Sequence, residues 1–93
     1  MQNDDVEFKK TVGQRVKRLR LGSGATQDTL AERCGIYRTY LSRIEAGAAN
    51  PTLVVLGALA AALNVDLCEL FCDFEKMSAM GLQRTHGAAS AKP

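Results

Sequence analysis

The feature that most constrains this chain is a pair of glycines, Gly35 and Gly47, each closing a short run of helical period. Thr26 carries a hydroxyl able to satisfy an orphan amide at a helix start, so the sequence predicts a helix opening at Gln27. Leu30, Ala31 and Cys34 fall on one face of it. The chain must then reverse sharply, which is cheapest at a residue that reaches positive φ without a Cβ clash, and Gly35 stands there. Beyond it Ile36, Tyr40, Leu41 and Ile44 recur at helical spacing and leave Arg38, Thr39, Ser42 and Arg43 on the outward faces. Gly47 ends this second helix. The stretch from Thr26 to Gly47 is therefore a helix, a tight turn and a second helix.

The flanking sequence supplies three more helices. Phe8, Val12, Val16 and Leu19 form one stripe, with Lys9, Lys10, Arg15, Lys17 and Arg18 around the rest, which predicts a first helix from about residue 6 to Arg20. Residues 1–5 are polar and expected to be flexible, and Gly22-Ser23-Gly24-Ala25 is expected to break the helix. Pro51 disfavours helix at Asn50, making 48–52 a loop. Thr52 can cap a fourth helix from Leu53 to Leu63, with Leu53, Leu56, Leu59, Ala60 and Leu63 inward and Asn64 as its left-handed stop. Asp66 and Glu69 make a box-like start for a fifth helix through Leu67, Leu70 and Phe71 to Phe74. The expectation is an all-α, compact five-helix domain over 6–75. Residues 76–93, rich in Gly, Ala and Ser, cannot bury enough surface to offset chain entropy and form a flexible tail, unless Met77, Met80 and Leu82 extend the fifth helix or touch a partner.

A chain of 93 residues holds one small domain, and no internal repeat is visible. With five aromatic residues and no Trp, its core must come from Leu, Val, Ile and Ala packing, which a partner chain can complete. No apolar run approaches the ~20 residues that span a membrane. Asp4, Asp5 and Glu7 make the N-terminus unlike a signal peptide, so a cytoplasmic location is expected. The net charge of +2 says little, but its distribution says more. Nine basic residues lie between Lys9 and Arg43 against Asp28 and Glu32, whereas 66–75 holds Asp66, Glu69, Asp73 and Glu75 and no base. A basic first half suits a polyanion; the acidic segment is freer to face solvent or another subunit. Charge runs are also commonplace on solvated helix faces, so the distribution alone does not decide. Cys34, Cys68 and Cys72 form no CxxC, and the single histidine, His86, lies in the tail, so neither a metal nor another cofactor is expected. Cys34 reads as a small buried hydrophobe. Cys68 and Cys72 share a helix face, where they pack, meet a partner subunit or sense an oxidant.

The run Gln27, Leu30, Ala31, Gly35, Tyr40-Leu41-Ser42, Ile44-Glu45, Gly47 and Asn50-Pro51 resembles the phage-repressor-like (Xre/Cro-type) helix-turn-helix family, over about Val12 to Phe71. The plain alternative is a helical hairpin with no DNA role. The resemblance implies a transcriptional regulator that places recognition helix 37–46 in the major groove of double-stranded DNA. It implies an internal ion pair between Arg20 and Glu45, with a phosphate contact as the alternative for Arg20. Arg38 is the first choice for base reading, because a guanidinium pairs bidentately with guanine O6 and N7. Thr39, Tyr40 and Ser42 complete the base-reading set, although the Tyr40 ring can equally belong to the core. Gln27 occupies a family phosphate-contact position at a helix N-terminus, and Arg43, Arg15 and Asn50 are the further phosphate-binding candidates. Two departures stand out: Tyr37 replaces the usual Ser or Thr cap, and Ala48-Ala49 lacks the basic residue common after the glycine.

One recognition helix covers only a few base pairs, so a homodimer on a palindrome is expected, with Leu67, Cys68, Phe71, Cys72 and Phe74 at its contact. Leu67 and Phe71 can also simply close the monomer core. Within the family, Arg38 to Ser42 and the absence of a second domain look like the controller proteins of restriction-modification systems, and no small-molecule ligand is expected. The competing reading is an antitoxin-like or co-regulator protein-interaction module in which DNA is secondary. Nothing in the sequence marks an enzyme: no metal cluster, no phosphate-binding glycine loop, no nucleophile beside a base.

Overall fold

A computed structural model of the protein describes residues 2–72 and is all-α there: four α-helices and one 3-10 turn, with no strand among the described residues. Helix α1 is Gln2–Ser23, α2 Gln27–Cys34, α3 Arg38–Glu45 and α4 Leu53–Leu63, and the 3-10 turn is Leu67–Leu70.

Helix α1 is longer than the sequence suggested at both ends. It opens at Gln2 rather than about residue 6, so the segment 1–5 expected to be flexible is helical from its second residue. Acidic Asp5 and Glu7 near its start complement the positive end of the helix. It runs through Gly22 to Ser23, whose hydroxyl donates to the Arg20 carbonyl at 2.7 Å, and stops only where Gly24 takes φ 83°. A glycine on an exposed helix face weakens a helix without ending it, which is why Gly22 misled the boundary.

The short helices are capped by local chemistry. Thr26 accepts from the Thr29 amide at 3.1 Å to open α2, and Gly35 closes it at φ 71°, with the Ile36 amide donating back to the Ala31 carbonyl. Thr52 does for α4 what Thr26 does for α2, and Asn64 ends α4 at φ 60°. Tyr37 precedes α3 in extended conformation with no side-chain cap, leaving that N-terminus uncapped by its own chain neighbour. The Glu69 carboxylate accepts from the Asp66 amide at 3.3 Å, but the expected fifth α-helix is here one 3-10 turn, and Phe74 lies outside the described residues.

Val16, Leu30, Leu41, Ile44, Leu59 and Leu70 are the largest fully buried side chains, so every element contributes to one core. Leu70 is what the 3-10 turn inserts to seal it. Leu53, expected inward, is 70% exposed, and Val54 beside it 81%, because packing of α4 against the core begins only at Val55. Periodicity gives a side chain's direction but not where the neighbouring elements end. None of the described helices is long and apolar enough to cross a membrane.

The crossing of α1 over the end of α3 is set by glycines. A Cβ on Gly13 would overlap the Ile44 carbonyl oxygen and press that of Glu45 at 3.0 Å. One on Gly47 would come within 2.9 Å of the Lys10 Cα. Gly35 differs: nothing lies within 4 Å, so only its positive φ demands glycine. Gly13→Ala is therefore expected to lower stability by about 2–3 kcal/mol through forced separation of α1 from α3, and Gly35→Ala by only about 1–2 kcal/mol. Urea unfolding of the two variants checks the order; equal losses would contradict the packing explanation.

Candidate nucleic-acid interface

The end of α1, the start of α2 and the end of α3 meet at a buried polar cluster. Arg20 donates from Nε to Glu45 Oε2 at 2.6 Å and from Nη2 to Oε1 at 3.0 Å, a two-pronged pair, while Nη1 donates to the Ala25 carbonyl at 3.0 Å. Both residues are 7% exposed. Gln27 donates its side-chain amide to the same Glu45 Oε1 at 3.0 Å. The bond to Glu45 raises the Arg20 pKa above its ordinary value against the opposing effect of burial. With Glu45 ionised, that contribution to stability is fully present below the ordinary arginine value and is lost only as pH rises through the folded-state value, in strong alkali. Arg20 thus holds the fold and is not available to a ligand.

From the opposite end of α3 runs its exposed face. Arg38 and Thr39 are exposed at its start, and Ser42 is half-buried a turn further. Tyr40 is half-buried with its ring packed against the core. Arg38 Nε sits 3.4 Å from Asp28 Oδ1 of α2. Arg43, exposed on the last turn, donates to the Ala48 carbonyl at 2.9 Å and so braces the loop that leads to α4. Asn50 is exposed in that loop, and Arg15 is half-buried on α1. The structure brings Arg38, Thr39, Ser42 and Arg43 onto one short helix, but it turns the Gln27 side chain inward to Glu45.

The residues assigned to a subunit contact divide. Leu67 and Phe71 pack against the chain's own core, and the Phe71 ring lies over Phe8 with centroids 5.9 Å apart. Cys68 is exposed, Cys72 half-buried, and Phe74 lies outside the described residues. Burial raises the thiol pKa of half-buried Cys34, which disfavours the reactive thiolate. Among the described residues no group of three or more His, Cys, Asp or Glu side chains can hold a metal ion.

Sequence reading missed two residues at this site. Gly13 lets α1 sit on the Ile44 and Glu45 carbonyls, and Asp28 lies 3.4 Å from Arg38. Neither carries a local signal, since each is defined by what another helix brings to it.

Two short helices joined at a left-handed glycine, with polar side chains on the outer face of the second, define a helix-turn-helix protein. The helix-turn-helix family matches residues 16–70, more than half of the chain, and the protein belongs to it. An HTH-type transcriptional regulator of Sinorhizobium fredii is 42% identical over 65 residues, covering 70% of this chain and 84% of the relative. Control protein C.MunI of a Mycoplasma species is 38% identical over 71 residues, covering 75% and 96%. The restriction-modification controller protein C.AhdI from Aeromonas hydrophila superposes with a TM-score of 0.67 at 40% identity, over 68% of this chain and 96% of that one.

Removing one partner of the buried cluster strands the other charge. Arg20→Met is expected to cost about 3–5 kcal/mol, whereas Arg20→Met combined with Glu45→Met recovers most of that loss. Urea denaturation of the two singles and the double checks it; additive losses would show that the two groups act independently.

Proposed function

We propose that this protein is a sequence-specific regulator of transcription that binds double-stranded DNA through α2 and α3, with recognition helix 37–46 in the major groove. The observation that carries the reading is the exposed start of α3, Arg38 and Thr39, on a helix whose opposite end is fixed by the buried Arg20–Glu45 pair. Arg38 reads a guanine, Thr39 and Ser42 contact neighbouring edges, and the Tyr40 hydroxyl supplements them from a ring anchored in the core. Gln27 meets phosphate through the backbone amide at the start of α2, its side chain being held by Glu45. Arg43, Arg15 and Asn50 are assigned to the remaining backbone contacts, which give affinity and salt dependence but no sequence information.

The protein acts as a homodimer on a palindromic operator. Cys68, Cys72 and the open parts of Leu67 and Phe71 supply the contact. Similarity to C.MunI and C.AhdI, named as a control and a restriction-modification controller protein, favours control of a restriction-modification operon.

The experiment is selection of bound sequences from random duplex at two salt concentrations, with wild type and Arg38→Ala. A palindrome is expected from the wild type. Arg38→Ala should relax one position in each half-site by about 1–3 kcal/mol. Weak, unselective binding lost at moderate salt by both proteins would overturn the reading and direct the search to a protein partner.

A further inference from the structure

Arg38 does not stand alone on its face. Helix α3 has no acidic residue in its first turn and no side-chain cap from Tyr37. The positive end of the helix and the Arg38 cation at its first position therefore coincide, an unfavourable pairing in isolation. A carboxylate from the neighbouring helix stands beside the Arg38 cation: Asp28, on the first turn of α2, lies 3.4 Å from Arg38 Nε. The two side chains are 81% and 51% exposed, so the pair is well solvated and adds little to stability. Its effect is on the freedom of Arg38, among the most rotamer-rich of side chains.

We propose that Asp28 is a positioning residue for base recognition: it holds the Arg38 guanidinium by its Nε edge and leaves the terminal Nη1 and Nη2 groups to pair with the O6 and N7 of a guanine. The inference rests on the DNA-binding reading above and deepens it. An arginine guanidinium has N–H donors along two edges, and an end-on approach through Nη1 and Nη2 needs only the edge that Asp28 does not occupy. Restricting the side chain before binding removes part of the ordering cost of the correct contact. A carboxylate on this face also repels phosphate, so an Arg38 that finds no guanine stays on Asp28 and gains less from gripping backbone. Asp28 thereby widens the gap between specific and non-specific binding, through repulsion as well as attraction.

The test is sequence selection and competition binding at one fixed salt concentration with the full chain, comparing wild type, Asp28→Ala, Asp28→Asn and Asp28→Glu, alongside thermal midpoints. Asp28→Ala and Asp28→Asn are expected to lower base preference about 3- to 10-fold at the position that Arg38→Ala also relaxes, and at no other. Asp28→Glu should retain the preference, and all midpoints should stay within a few degrees of wild type. Uniformly tighter binding to every duplex with unchanged base preference would reduce Asp28 to bulk charge and overturn the proposal. A preference lost equally in all three variants together with a fallen midpoint would reduce it to a fold-stabilising residue, also overturning it. A wild type that selects no sequence would instead bring down the DNA-binding reading itself.

Discussion

Charges taken out of water are costly, and the fold is arranged so that the cost of Arg20 and Glu45 is met in full. Two bonds join the pair, Ala25 accepts a third from Arg20, and Gln27 donates to Glu45. Such a pair adds little net stability compared with an apolar substitute, but it tolerates few geometries. Its partners come from α1, from the α1–α2 connection, from the first residue of α2 and from the last of α3. Displacing any one of these elements leaves a buried charge short of a partner, so the cluster acts as a constraint on how the three helices can sit.

The glycines make that constraint reachable. Arg20 can meet Glu45 only if α1 approaches the end of α3 closely, and it does so because Gly13 offers no Cβ to the Ile44 and Glu45 carbonyls. Gly47 gives the same clearance to the Lys10 backbone as the chain leaves α3. Apolar packing of Val16, Leu41 and Ile44 then closes the space around the polar cluster. The result is a rigid support whose outer surface carries the groups with the greatest freedom to bind. Interior bonds engage Arg20, Glu45 and the Gln27 side-chain nitrogen, while Arg38 and Thr39 stay exposed. One eight-residue helix thus carries buried bonded groups on one side and exposed polar groups on the other.

Surface ion pairs and buried ones play different parts here. Arg38 with Asp28 and Arg20 with Glu45 have the same chemistry, but the first is exposed and the second almost wholly enclosed. In water the exposed pair can open and re-form at little cost. The enclosed pair cannot be opened without unfolding. Arg43 lies between these cases: it is exposed, yet bonded to the Ala48 carbonyl, so any phosphate contact it makes competes with bracing of the loop.

Local chemistry alone placed much of the fold. Thr26, Gly35, Thr52 and Asn64 announce their helix ends because capping and left-handed backbone depend on single residues and their immediate neighbours. Helical spacing likewise indicated Leu30, Leu41, Ile44 and Leu59 as inward, since period and burial are linked along one element. What depends on another element stayed hidden. The exposure of Leu53, the inward turn of Gln27 and the partnership of Asp28 with Arg38 are each set by residues of other elements. The sequence by itself determined where the capped helices α2 and α4 begin and end and most of the inward positions along them, because capping and helical period are short-range properties of the backbone. Only the tertiary structure decided how closely the helices approach and which polar groups are spent inside, because distance between elements is written in no single stretch of residues.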